Sequence, residues 1–532
     1  MIAKVYSAIP YGYEGQLIEI EGDTSKSLPA FNIVGMANKT ISEARERVRS
    51  AIVNVGLSFP NKKVTINLAP AEVAKDGSHL DLPIALNILI LSKQLLQSDV
   101  TGKIFAGELS LDGSIKPVRG IINIIETAKS NGYTEVFVPK ENLSQARLVP
   151  NIRIIGVSTL IELVLHLKDV KHIKNTSDQP VSVKNTLTGL PLLDDVTGQN
   201  FAKRAITIAV AGHHNLLLSG PPGAGKTLLA KTAANLLPPL SPEEQISITK
   251  IHALSGMPDQ IISGRPFRTP HHTSSTASII GGGIHASPGE ISLAHHGILF
   301  LDELPEYPRN VLEALRQPLE DRTVTITRAN AHTCYPANFI LIATMNPCPC
   351  GYLGDPDHEC SCTTHQINAY RKRLSGPILD RIDLILHVDR VPSCHLSSVH
   401  VKNNKTDNTR CFTNQTHIQT DSPNTTTDNA LHSSPEHTQA QKDILQALSI
   451  QHTRYGRADT YNGDLSPQDI SVYVKITSSG QKLLQQAADR LKLSARAYFK
   501  VIKVAQTIAD LGQSTGVGTE QISEALALRQ QI

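Results

Sequence analysis

Tryptophan is absent from this 532-residue chain, and phenylalanine and tyrosine together supply only 4% of it. So few flat rings argue against single-strand binding by base stacking on side chains. A run of about 20 apolar residues is also missing, and the N-terminus MIAKVYSAIPYGYEG has no charged segment leading into an apolar stretch of signal-peptide length. The expectation is a soluble, cytosolic protein without membrane contact. Excess charge is missing too. With a formal net charge of +3, any polyanion must be met by local clusters of arginine and lysine, because the overall field is weak. Cysteine is scarce at seven residues, yet Cys348, Cys350, Cys360 and Cys362 crowd together, which suits a metal clip better than a disulfide framework.

The length calls for several domains. Residues 1–170 alternate short β-branched runs (Val64–Leu68, Ile104–Ala106, Glu135–Val138, Ile152–Gly156) with helical stretches, which predicts one α/β domain. Residues 171–189 are polar and read as a linker. A second α/β unit spans 190–392, with apolar strands that lack alternation and so belong in a parallel sheet buried on both faces. Residues 393–438 are rich in Ser, Thr, Asn, His and Asp, a composition that cannot offset its ordering entropy, and they read as a disordered insertion. Residues 439–532 carry amphipathic helical patterns and form a small helical domain.

The chemistry centres on Gly220-Pro221-Pro222-Gly223-Ala224-Gly225-Lys226-Thr227, which fits the P-loop pattern between an apolar strand and a helix. Its backbone N–H groups wrap phosphates, Lys226 bridges the β and γ oxygens of ATP, and the Thr227 hydroxyl ligates Mg²⁺. A second apolar strand, Gly297–Leu301, delivers Asp302 and Glu303 at its carboxyl end. Asp302 holds the magnesium through water and Glu303 polarises the lytic water. The strand Phe339–Thr344 leads to Asn346, a candidate sensor of that water or of the γ-phosphate. Charge on the transferring phosphoryl calls for a cation, commonly an arginine from a neighbouring subunit. Arg381 in LSGPILDRIDL fits, the alternative being a surface arginine paired with Asp380 or Asp383. Ser494 is a plausible N-cap, and Arg496 just inside that helix would face the nucleotide from the helical domain.

At these residues the chain resembles the magnesium-chelatase-like AAA+ proteins and, within them, the ComM/YifB family. The resemblance rests on GPPGAGKT, PGEISLAHHGILFLDELPE, ATMNPCPCG, LSGPILDRIDL and LSARAYFKVIKVAQTIADL. It covers nearly the whole chain. It implies an α/β multidomain protein: a Lon-protease-like N-terminal domain, an AAA+ P-loop core with a helix-2 insert, and a C-terminal helical lid. It further implies a homo-oligomeric ring, usually a hexamer, with ATP sites between subunits. Members of the ComM group look like DNA helicases that drive branch migration in natural transformation, with recombination proteins as further partners. Two stretches are candidates for DNA: Phe267-Arg268-Thr-Pro-His271-His272 leading to Gly281-Gly-Gly283, and a β-hairpin over Arg322–His332 with Arg328 near its tip. Basic hairpins in a ring pore would track phosphates without reading bases. The alternative is a hairpin packed on the core with solvated arginines.

The N-terminal domain resembles the Lon proteolytic domain at AKDGSHLD and at GELSLDGSIKPV. There a serine must be deprotonated by a lysine, but the matching positions here are His79 and Ile122, so the dyad has lapsed. Ser78 and Lys116 leave a shifted register open. The two CxC pairs suit a four-thiolate Zn²⁺ in the loop 346–364, with His358 and His365 as substitute ligands and a reduced thiol cluster as the alternative. A protein-remodelling or chelatase-like ATPase stays open beside the DNA motor.

Overall fold

The computed structural model describes residues 2–35, 39–73, 75, 77–173, 189–256, 261–283, 286–328, 331–355, 357–391, 435–457 and 459–530; the side chains of 39–42, 328, 331 and 332 fall outside that description. Most of the expected linker and of the expected insertion therefore lies outside the described residues.

The N-terminal unit is built on β1 (Ala3–Tyr11), β2 (Glu14–Ser25), β3 (Ala30–Val34), β4 (Lys63–Ala69), β5 (Lys103–Phe105), a short hairpin β6 (Glu108–Leu109) and β7 (Ile115–Lys116), then β8 (Glu135–Pro139) and β9 (Arg153–Val157). Seven of these form one mixed sheet in the order β3-β4-β2-β1-β5-β8-β9. The long β1–β2 hairpin, in register from Ala3↔Gly22 to Tyr11↔Glu14, was not among the expected strands. Helix Asp81–Leu91 is buried at every position.

The second unit contains β10 (Leu216–Ser219), β11 (Phe267–Arg268), a small hairpin β12 (Gly281–Gly282) and β13 (Ser287–Pro288), then β14 (Ile298–Leu301), the hairpin β15 (Thr323–Arg328) and β16 (Ala331–Pro336), β17 (Ile340–Met345) and β18 (Leu384–His387). Its five-stranded sheet runs β11-β14-β17-β10-β18, all parallel. Every residue of β10, β14 and β17 is buried, as their unbroken apolar sequences demand. All three strands therefore end at the same edge of the sheet, and so do the segments that follow them.

The C-terminal helices are not a free-standing domain. Helix Pro435–Tyr455 begins four residues before the expected boundary at Gln439, because His437 is buried and its N–H donates to the Asp194 carboxylate at 3.0 Å. Ile444, Leu448, Leu484, Val501, Ile508 and Ile522 share one hydrophobic cluster with Leu216, Leu218, Ile342 and Leu386 of the sheet. Ser494 does cap helix Ala495–Leu511, accepting from the Ala497 N–H at 3.2 Å.

A buried ion pair locks that helix to the sheet. Lys500 Nζ lies 2.7 Å from Asp383, which also accepts the Asn215 N–H at 2.8 Å. Burial pushes the Asp383 carboxyl up, but Lys500, His214 and the Asn215 N–H together override it and hold it at about 2. Its contribution to stability is therefore complete above the ordinary carboxylate range and lost as the pH falls through about 2. Asp383→Asn leaves the Lys500 ammonium buried without its counter-charge, for an expected loss of about 3–5 kcal/mol at neutral pH. A denaturant titration reads this as a lower midpoint; an unchanged midpoint would contradict it.

The two α/β units meet directly. The Tyr13 hydroxyl, in the β1–β2 turn, is 2.8 Å from Ser247 Oγ on helix Pro242–Leu254. From the same helix, Lys250 donates to Glu126 at 2.6 Å and sits 4.1 Å from the Tyr13 ring centre.

Candidate functional site

The P-loop leaves β10 at Ser219 and enters helix Lys226–Leu236. Its backbone must be glycine at both ends. A side chain on Gly220 would stand 2.2 Å from the Val388 carbonyl after β18, and Gly225 holds φ +83° as the residue before the helix. Lys226 Nζ donates to the carbonyls of Gly220 and Pro221 and, at 3.1 Å, to Asn346 Oδ1 beyond β17. Burial lowers the Lys226 ammonium to about 8 against the opposing pull of Asp302 and Glu303. Incoming phosphates would reverse that shift by supplying further negative charge.

Asp302 and Glu303 follow β14 at the same edge, both exposed. The Thr227 hydroxyl lies 3.5 Å from one Asp302 oxygen, and the Thr344 hydroxyl of β17 donates to the other. Thr344 Oγ in turn accepts the Glu303 N–H at 3.0 Å. Glu303 is left-handed at φ +53°, an uncommon state for a residue with a side chain and one seen at functional turns. Thr344 went unnoticed in the sequence, although a polar residue inside the run ILIATM was the available signal. Gly220–Thr227, Asp302, Glu303 and Asn346 thus converge on one open face. Thr227 and Asp302 bring two oxygens to a spacing of 3.5 Å, which a magnesium ion would accept, directly or through water.

Arg381 and Arg496 are not part of that face. Arg381 donates to the Pro377 carbonyl at 2.6 Å and pairs with Glu320 at 2.8 Å, so neither Asp380 nor Asp383 is its partner. Arg496 reaches the same Glu320 oxygen at 3.1 Å. Both line a cavity of about 510 Å³ together with Asn215 and Asp383, the residues that precede β10 and β18. That is the amino edge of the sheet, one strand length away from the P-loop. Within one chain Arg496 therefore does not reach the P-loop face. Packing of helix Ala495–Leu511 onto the sheet through Lys500 carries its first turn to the opposite edge.

The expected DNA-facing stretches are partly occupied by internal partners. Arg268 makes two bonds to Glu290, at 2.7 and 2.8 Å. Arg322 donates to the Phe339 carbonyl at 2.9 Å and pairs with Asp464 at 2.7 Å. The β15–β16 hairpin forms, with Val324, Ile326 and Tyr335 buried on its inner face. The side chain of Arg328 falls outside the described residues. The rings of His271 and His272 are 4.2 Å apart and tilted by 32°, with His272 edge-on to Tyr307.

In the N-terminal unit His79 and Ile122 are both buried. The Ser78 hydroxyl donates to the Glu108 carboxylate, and Glu108 faces Lys116 across the β6–β7 hairpin. The shifted dyad is therefore not assembled, since Ser78 meets an acid where a lysine is required.

The four cysteine sulfurs all lie within 4.8 Å of one another. Neither His358, stacked on Tyr352 at 4.8 Å, nor His365 belongs to the cluster. Cys334 is exposed and unbridged; Cys394 and Cys411 lie outside the described residues.

Among the described residues no helix is long and apolar enough to cross a membrane. Family profiles of magnesium chelatase subunit ChlI match residues 20–142, 192–396 and, for its C-terminal part, 435–529. Competence protein ComM of Haemophilus influenzae is 38% identical over 99% of this chain and 97% of its own length. The YifB protein of Escherichia coli is 36% identical over 99% and 97%. The Lon protease of Azorhizobium caulinodans is 27% identical over 32% of this chain and 21% of its own length. With matches to ComM and YifB that run from end to end, the chain belongs to the ComM/YifB family of magnesium-chelatase-like AAA+ proteins.

Proposed function

We propose that this chain is the subunit of a ring-forming ATPase, a hexamer, that uses ATP hydrolysis to move along DNA and drives branch migration when incoming DNA recombines. The observation that carries the ATPase and the ring is the division of the site between two edges. The P-loop, Asp302, Glu303 and Asn346 share one edge, and the arginines that would complete the site lie at the other, where only a second copy's nucleotide would meet them.

In this reading the N–H groups of Gly220–Thr227 cradle the phosphates and Lys226 neutralises them. Thr227 and Asp302 would hold the magnesium ion, which would supply neutralising charge to the phosphates. Glu303 orients the attacking water and draws off its proton, and Asn346, already on Lys226, reports the γ-phosphate. Arg381 of a neighbouring subunit meets the charge that develops on the transferring group, and Arg496 joins it from the same edge. The N-terminal unit serves as a scaffold, its Tyr13 and Glu126 holding the helix that bears Ser247 and Lys250.

The DNA part of the reading draws on the family and on the basic β15–β16 hairpin, whose arginine at 328 would track phosphates. Its test is ATP hydrolysis by the purified chain with and without four-way-junction DNA. The expected result is stimulation by DNA that Arg328→Ala removes while basal hydrolysis persists. Hydrolysis indifferent to DNA in both proteins would overturn the DNA assignment and favour a protein client or a chelatase-like partner.

A further inference from the structure

The loop that carries the four cysteines also walls the phosphate-binding loop. It begins directly after Asn346, whose side chain accepts from Lys226, and the Gly220 N–H donates to the Met345 carbonyl at 3.2 Å. The turn closed by the Gly351 N–H on the Cys348 carbonyl lies against the P-loop, since a side chain on Gly351 would come within 2.8 Å of Pro222 Cδ. A second contact runs through Arg390, beyond β18. Its guanidinium is 3.2 Å from His358 and 3.9 Å from Asp355, both between the CxC pairs, and 4.0 Å from where a Gly223 side chain would start.

Little else holds this loop. Of its described residues from Pro347 to Cys362, only Pro347, Cys348 and Gly351 are buried, while ordering each residue costs roughly 1–2 kcal/mol of backbone entropy. The sulfurs supply the missing restraint if they share an ion. Cys348 Sγ is 3.3 Å from Cys350 Sγ and 3.7 Å from Cys360 Sγ, and Cys350 Sγ is 3.6 Å from Cys360 Sγ. A disulfide needs about 2.05 Å. A tetrahedron of thiolates with bonds of about 2.3 Å has edges of about 3.8 Å, close to what these sulfurs show.

We propose that the four cysteines bind one tetrahedral thiophilic divalent ion of the zinc class, and that this ion braces the P-loop, so that metal occupancy and nucleotide affinity are coupled. The inference rests on the reading of Gly220–Thr227 as the nucleotide site. By reciprocity, nucleotide must tighten the hold on the ion by the same factor that the ion tightens the hold on nucleotide.

The test begins with the intact chain as purified, by elemental analysis and thiol titration. The result expected is one zinc per chain and four thiols that react only after a chelator is added. Binding of a fluorescent ADP analogue is then measured on metal-loaded protein, on protein stripped by chelator and returned to magnesium buffer, and after zinc is restored. Stripping is expected to weaken ADP binding by about tenfold, with recovery on zinc and none on magnesium alone. Arg390→Ala is expected to keep its zinc yet show a smaller change on stripping, a result that general unfolding of the loop would not give. Absence of metal with four reactive thiols would overturn the site, and ADP affinity unchanged by stripping would overturn the coupling. Failure of the metal-loaded chain to bind ADP any better than Lys226→Ala would overturn the nucleotide reading and the coupling with it, while the thiol titration still decides the metal.

Discussion

Arg381→Ala is expected to slow ATP hydrolysis by about 10³-fold or more while leaving nucleotide affinity nearly unchanged. The expectation follows from position. Arg381 stands at the amino edge of the five-stranded sheet, held by Glu320 and the Pro377 carbonyl, while Lys226 follows the carboxyl end of β10. No side chain spans that distance inside one subunit, so in the proposed ring the guanidinium would serve a phosphoryl group bound by another copy. Stabilising charge in the transition state without touching the bound ground state changes kcat and spares binding. Mixing Arg381→Ala with Lys226→Ala subunits should restore part of the hydrolysis, because some interfaces then pair an intact P-loop with an intact arginine. Arg381→Ala subunits that hydrolyse ATP at the wild-type rate, or mixtures that recover nothing, would contradict a shared site.

Glu303→Gln should lower hydrolysis by about 10²–10⁴-fold, the usual worth of a positioned general base. The substitution keeps the shape of the side chain and the Glu303 N–H bond to Thr344, so the turn at φ +53° stays in place. Only the capacity to draw a proton from water is lost. Single-turnover hydrolysis measured beside ATP binding separates the two effects. A rate within about tenfold of wild type would assign the water to another group.

The gathering of the P-loop, Asp302, Glu303 and Asn346 at one edge was legible in the sequence because each part is local. Gly220–Thr227, Asp302-Glu303 and Asn346 all sit at the ends of apolar strands, and a parallel sheet brings such ends together whatever the rest of the chain does. The edge at which Arg496 lies was not legible, because its position depends on how a distant helix packs. The Lys500–Asp383 pair and the shared cluster of Leu216, Leu386, Val501 and Ile508 decide that, and no periodicity encodes it. The Arg268–Glu290 pair was hidden for the same reason, since the two lie 22 positions apart in sequence and meet only in the fold. The β1–β2 hairpin escaped notice because its glycines and charged residues dilute the alternation; Gly22, for instance, packs directly on Asn87 of the buried helix Asp81–Leu91. The start of the C-terminal helices was set four residues late because Glu436 and His437 read as polar loop, whereas Lys203 and Asp194 provide their partners.

In the proposed function, ATP hydrolysis at a site shared between subunits moves DNA. The most direct test follows a labelled four-way junction with ATP and the wild-type chain, beside Glu303→Gln, which should bind the junction but not turn over. Wild type is expected to resolve the junction into displaced duplexes only while ATP is hydrolysed, and Glu303→Gln to leave it intact. A junction left unchanged by wild type despite steady hydrolysis would contradict the claim.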